Sequence, residues 1–191
     1  MTLQGKRILV GVTGGIAAYK SAAFVSRLVS AGADVNVMMT ESAARLVAPK
    51  TFHSLSGHQV RLSLWEDAAA PHPHIDAGKG ADLFCIAPAT ADILAKAAHG
   101  IADDLVSASI LAFSGPILLA PAMNCVMWSK PAVQRNIAQL KEDGFLFIGP
   151  ESGRLSCGQV GAGRMAEPEQ IFAAITAVLG GTSTPSAEPV I

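Results

Sequence analysis

RILVGVTGGIAAYK, residues 7–20, decides the fold. An apolar, β-branched run from Arg7 to Val12 meets a glycine turn, and from Ile16 the apolar spacing becomes helical until Gly32 stops it. DVNVMM, Asp34 to Met39, supplies a second strand, and the segment from Thr40 (TESAARLV) has the Thr and Glu placement of a helix start. Two strands joined through a helix run parallel.

The alternation continues along the chain. ADLFCIAPA, from Ala81 to Ala89, reads as a buried strand, and the stretches from Ala91 to His99 and from Asp104 to Phe113 as helices. A strand from Ile117 to Ala120, a helix from Lys130 to Asp143 closed by Gly144, a short strand from Phe145 to Ile148 and a helix from Glu167 to Leu179 follow. The pattern predicts an α/β fold, a doubly wound open parallel sheet of Rossmann-like type over residues 1–180. Beyond Gly180 the Gly/Ser/Thr/Pro-rich stretch 181–191 is expected to be a flexible tail or linker.

Composition narrows the function classes. With 191 residues, 50% hydrophobic and 15% charged, the chain suits one globular domain. A net charge of −1, 5% aromatic residues and no Lys/Arg cluster longer than a pair argue against a nucleic-acid partner. No secretion signal and no run of 18 apolar residues is read, so no membrane span is expected, and the high hydropathy is absorbed by a core or between subunits. Cys85, Cys125 and Cys157 are odd in number and widely spaced, which fits a reducing cytoplasm and neither a disulfide framework nor a metal site.

In an open parallel sheet a ligand sits beyond the carboxyl ends of the strands. GVTGGIAAYK, Gly11 to Lys20, lies at such an end: glycines let the backbone approach a ligand, and the helix directs free N–H groups at an anion. Thr13, Gly14, Gly15 and Ile16 are thus the expected phosphate cradle. Glycines at 11, 14 and 15 depart from the GxGxxG dinucleotide spacing and favour a mononucleotide. Thr40 and Ser42 bring hydroxyls suited to phosphate or ribityl oxygens. A glycine turn plus an N-cap accounts for either motif equally well. APATADILAK, Ala87 to Lys96, offers small residues and Thr90 against which a flat ring can lie, although capped turns of this composition are common.

PAMNCVMW, residues 121–128, follows the strand from Ile117. Together these segments resemble the flavin-containing cysteine decarboxylases, whose PxMNxxMW signature is matched by Pro121, Met123, Asn124, Met127 and Trp128. HGIADDLVS, ending at Ser107, and CGQVGAGRM, from Cys157, are similar to the same family in the same order. The similarity is greatest to the branch that acts on phosphopantothenoylcysteine in coenzyme A biosynthesis. It implies FMN held by Thr13, Gly14, Gly15, Ile16, Thr40, Ser42, Pro88, Ala89, Thr90, Asp92, Ser107, Ala122 and Met123. It also implies a homotrimer or a dodecamer of trimers, with FMN near the contact between subunits.

The resemblance further implies that the flavin oxidises a cysteine side chain to a thioaldehyde, so that CO2 loss leaves a stabilised enethiolate. His74, in the family's His-Ile-acid pattern, is the implied base, since an imidazole titrates near neutrality. Without the resemblance, a histidine beside prolines reads as a solvated loop residue. Asn124 orients the leaving carboxylate without a charge that would hold it. Cys157, in a glycine-rich segment able to fold over a site and open again, is the implied proton donor to the enethiol. Met127 and Trp128 are either site wall or core; Cys85 and Cys125 read as buried fillers.

Two other readings remain. A sister group decarboxylates the C-terminal cysteine of a peptide and stops at the enethiol, without needing the reducing cysteine; Cys157 favours a small-molecule substrate. A non-catalytic flavin-binding regulatory subunit would have lost His74, Asn124 or Cys157, and all three are present.

Overall fold

The computed structural model of the chain describes residues 2–65, 71–154 and 158–181. Its main sheet is parallel throughout: β1 (Arg7–Val12), β2 (Asp34–Met39), β3 (Leu83–Ala89), β4 (Ile117–Pro121) and β5 (Leu146–Phe147), in spatial order β2-β1-β3-β4-β5. The chain moves to one side of β1 and then to the other. Loops at the carboxyl ends of β1 and β3 therefore part and leave a crevice.

Side chains alternate across the strands, and both faces are covered. Ile8, Val10, Val12, Val35, Val37, Leu83, Cys85 and Leu118 share one core with α1 (Ala18–Ser30), α3 (Pro49–Ser56) and α9 (Pro168–Leu179). Leu9, Met38, Phe84, Ile86 and Leu119 share the other with α5 (Ala91–His99), α6 (Leu105–Ala112) and α8 (Pro131–Glu142). A sheet buried on both faces needs near-continuous apolar strands, which is why β3 reads LFCIAPA. In α1, buried Ala18, Ser21, Phe24, Val25 and Leu28 recur at helical spacing and form its stripe against the sheet. Burial also pushes the Cys85 thiol well above its ordinary pKa, so Cys85 is an inert core residue as expected.

Pro88 interrupts the central strand, where a residue without an N–H breaks the ladder. The register between β3 and β4 shifts between Ile86 and Ala89. The carbonyls of Ala87 and Pro88 accept hydrogen bonds from the hydroxyls of Ser21 and Thr13, each at 2.6 Å. Two buried hydroxyls thus satisfy the carbonyl groups at the break.

Several short elements differ from the sequence expectation. The helix start expected at Thr40 gives only a single turn, α2 (Glu41–Ala44), and α3, which was not expected, begins at Pro49, whose missing N–H suits a first turn. Single turns α4 (Pro73–Asp76) and α7 (Cys125–Trp128) occupy stretches where no helix was expected. Cys125, expected to be buried, is half-buried at the start of α7, where its Sγ lies 3.4 Å from Gln159 Oε1. Apart from Gly181, the expected tail lies outside the described residues.

The largest difference is an antiparallel hairpin, β6 (Glu151–Arg154) and β7 (Val160–Arg164). The glycines read as a hinge have a packing reason here. A Cβ on Gly163 would overlap the Met123 carbonyl oxygen, and its φ of 141° is one that side-chain-bearing residues rarely adopt. A Cβ on Gly161 would stand 2.8 Å from Cys125 Cβ. Met123 N–H donates to Gly163 O at 2.9 Å, joining the hairpin to the segment after β4. Glu167, at the N-cap of α9, adds a second tie: it accepts from Lys20 Nζ of α1 at 2.8 Å and from Arg164 of β7 at 2.5 Å.

Gly163→Ala is expected to lower the stability measured in urea by roughly 2–4 kcal/mol, the scale of a strained backbone combined with an overpacked contact. The hydrogen bond from Lys20, aided by Arg164, holds the Glu167 carboxyl below its ordinary 4.5 against the opposing effect of burial. A depressed carboxylate stabilises the fold above its unfolded pKa and ceases to do so as pH falls through its folded pKa. Glu167→Gln is therefore expected to be less stable than wild type at about pH 7, with the gap closing below about pH 4. A gap independent of pH would show that the ion pairs contribute nothing.

Candidate active site

Beyond the carboxyl ends of the strands lies a cavity of about 1190 Å³, large enough for a cofactor together with a substrate. The turn after β1 contributes Thr13 to Ala17, the turn after β2 Thr40, Glu41 and Ser42, and the turn after β3 Thr90 to Asp92. Ala122, Met123, Asn124 and Met127 follow from β4 and α7, and Arg154, Gly163, Arg164, Met165 and Glu167 from the hairpin and the approach to α9.

These turns differ in how they end their hydrogen bonding. Thr40 caps α2 by accepting from Ala43 N–H at 3.2 Å, Thr90 caps α5 from Ile93 N–H at 3.5 Å, and Asn124 caps α7 from Val126 N–H at 2.8 Å. Before α1 stands Ala17, which has no capping side chain. Among the described residues the N–H groups of Gly14, Ile16 and Ala17 have no acceptor, and all three residues line the cavity. Open N–H groups at the positive end of a thirteen-residue helix suit an anion.

Gly14 is also required by the protein itself, since a Cβ there would overlap the Ser42 side chain. That close approach brings the hydroxyls of Thr40 and Ser42 beside the open turn. At Gly15 a Cβ would meet only ordinary contacts, Thr90 Cγ2 at 3.4 Å and Pro88 Cγ at 3.6 Å. Thr13 lines the cavity, but its hydroxyl serves the fold: it donates to Pro88 O and accepts from Thr90 N–H at 3.2 Å. Pro88 and Ala89 are buried behind this wall and do not line the cavity. Ser107 is buried in the capping box of α6 with Asp104 and does not line it either.

Asn124 lines the cavity, and its Nδ2 donates to Gln159 Oε1 at 2.6 Å. The open question about the next two signature residues is settled by position. Met127 is in the cavity wall and 46% exposed, whereas Trp128 is half-buried and packs against the core shared by α5, α6 and α8. Cys157 lies outside the described residues. His74 is half-buried in α4, which packs against α6 and precedes the amino end of β3, and it is not among the residues lining the cavity.

Several lining residues were not read from the sequence. Lys96 is enclosed by Asp92 at 3.3 Å, Asp103 at 2.9 Å and Asp104 at 3.0 Å. Burial works against its charge, but the hydrogen bonds from Lys96 to these carboxylates outweigh it and hold the ammonium above its ordinary pKa; the same contact lowers Asp103. Asp92, expected at the flavin, is thus also a partner of Lys96. HGIADDLVS carried a signal in its paired aspartates, and α5 a lysine on the facing turn. Lys20 and Glu167 are 147 residues apart, and no spacing rule connects them. A turn with open N–H groups, neighbouring hydroxyls and an apolar wall of Ala122, Met123 and Ile16 have the chemistry to fit a flat, phosphorylated ligand.

Comparison with known proteins agrees with this geometry. The chain is 50% identical over 170 residues to the coenzyme A biosynthesis bifunctional protein CoaBC of Bacillus subtilis, covering 88% of this chain and 42% of that protein. It therefore spans well under half the length of the curated relatives it matches. Among solved structures, the FMN-dependent cysteine decarboxylase SpaF superposes with a TM-score of 0.82 at 35% identity, over 94% of this chain and 98% of that one. A cysteine-to-serine mutant of PPC decarboxylase complexed with pantothenoylaminoethenethiol superposes with a TM-score of 0.79 at 31% identity, over 89% and 96%. The flavoprotein family profile matches residues 1–180, and the chain belongs to that family.

Proposed function

We propose that the chain is an FMN-dependent decarboxylase that converts 4′-phosphopantothenoylcysteine to 4′-phosphopantetheine and CO2. The observation that carries this reading is a single cavity lined both by the open turn before α1 and by Asn124. The names of the relatives support it: one belongs to coenzyme A biosynthesis, and one solved structure holds the enethiol that an oxidised, decarboxylated pantothenoylcysteine would become.

The phosphate of FMN is assigned to the N–H groups around Gly14, Gly15 and Ile16 with the hydroxyls of Thr40 and Ser42. Thr13, Pro88, Ala89 and Thr90 shape the wall behind it, Ala122 and Met123 face it, and Asp92 and Ser107 belong to the α5–α6 edge. When bound, FMN supplies a two-electron acceptor that later returns the same electrons, so the conversion is redox-neutral overall.

His74 takes the thiol proton as the cysteine side chain is oxidised. Asn124 donates an N–H to the substrate carboxylate, one of whose oxygens replaces Gln159 Oε1 as the acceptor for Nδ2. When CO2 leaves, the electron pair of the broken C–C bond is delocalised onto sulfur as an enethiolate. Cys157 supplies the proton that accompanies return of the electrons to carbon. The place of His74 ahead of the amino end of β3 gives this reading a further consequence. We assign the working assembly to a homo-oligomer, a trimer or a dodecamer of trimers, in which His74 of one copy serves the cavity of another.

Single-turnover mass spectrometry tests the proposal. Wild type is expected to release CO2 from 4′-phosphopantothenoylcysteine and not from a peptide ending in cysteine. Cys157→Ser should release CO2 yet yield a product lacking one pair of hydrogens, and His74→Asn should release none. Turnover of the peptide alone would assign the chain to the peptide-modifying group, and turnover of neither substrate would refute the decarboxylase reading.

A further inference from the structure

We infer that Arg154 recognises the phosphate of the substrate, an inference that rests on the decarboxylase reading above. The cavity is lined by four cations, Lys20, Lys96, Arg154 and Arg164. Three of them are neutralised within the protein. Lys20 and Arg164 share Glu167, and Lys96 is held by Asp92, Asp103 and Asp104. Arg154 is exposed and forms no ion pair with a carboxylate among the described residues.

The position of Arg154 separates it from the flavin cradle. It ends β6, opposite Val160 of β7. The residue before Val160 is Gln159, the partner of Asn124 Nδ2. Arg154 therefore lies on the hairpin wall of the cavity, apart from the open turn before α1. The flavin phosphate has its own anchor in the open turn before α1, on the first strand of the main sheet.

Charge balance gives the same result. The lining carboxylates are Glu41, Asp92, Asp104 and Glu167, and Glu41 is itself paired with Arg45. A phosphate carrying nearly two negative charges would enter a cavity whose other cations are already paired. The planar guanidinium of Arg154 offers a bidentate match to phosphate oxygens, and its exposure lets it turn toward an incoming ligand. A peptide ending in cysteine presents no such group, so the same residue favours the small-molecule substrate.

The test measures kcat/KM on 4′-phosphopantothenoylcysteine and on dephosphorylated pantothenoylcysteine, with FMN affinity measured in parallel, for wild type, Arg154→Gln and Arg154→Lys. Wild type is expected to prefer the phosphorylated substrate by roughly 10- to 100-fold, the effect of one charge-assisted hydrogen-bonded contact. In Arg154→Gln that preference should collapse through KM, and in Arg154→Lys it should return in part. An unchanged preference in Arg154→Gln overturns the inference, as does an equal loss on both substrates, which would mark a structural role or a contact with the carboxylate that both share. Weakened FMN binding with the preference retained assigns Arg154 to the flavin phosphate and likewise overturns it. A wild type that decarboxylates neither compound refutes the parent reading instead, and one that decarboxylates both equally refutes only the role of Arg154.

Discussion

The open amino end of α1 is the constraint on which the site depends. A helix leaves its first N–H groups without partners, and proteins usually satisfy them with a side chain. Here α2, α5 and α7 follow that rule through Thr40, Thr90 and Asn124, and α1 does not. Its position at the end of β1, where the chain parts toward β2 on one side and β3 on the other, places the free donors at the mouth of the crevice. Gly14 allows Ser42 to approach this turn, while the hydroxyl of Thr13 ties the turn to β3. The open donors thus follow from backbone geometry that two contacts hold in place.

The second half of the site is held by the hairpin. Gly163 lies against the backbone at Met123, Gly161 faces Cys125, and Glu167 joins α1, β7 and α9 through Lys20 and Arg164. Asn124 sits where that hairpin meets the end of β4. Its side chain is directed by a cap bond to Val126 and a bond to Gln159, so its orientation depends on both segments. The arrangement explains how residues from the first and last thirds of the chain form one cavity wall.

Much of this was legible in the sequence because it rests on local rules. The strand-to-helix alternation placed β1 to β4, and Gly32 and Gly144 marked helix ends. The helix start at Thr40 was read correctly but not its length: only the single turn α2 follows, and α3, opened by Pro49, was not anticipated. The hairpin was missed because its strands, ESGR and VGAGR, lack the apolar alternation that identifies a strand; they are fixed by contact with Met123 and Cys125 instead. The same limit applied to Lys20 and Glu167, whose partnership is purely tertiary. His74 and Asn124 were singled out through their motifs, but motifs carry no information about which end of the sheet a residue occupies.

The account turns on whether the open turn before α1 grips a phosphate, and the most direct measurement is titration of flavin-free protein with FMN and with riboflavin, which differ only in that group. The account predicts that FMN binds at least about 100-fold more tightly, as expected for several charge-assisted N–H contacts to one anion. Equal affinity for the two flavins would contradict it.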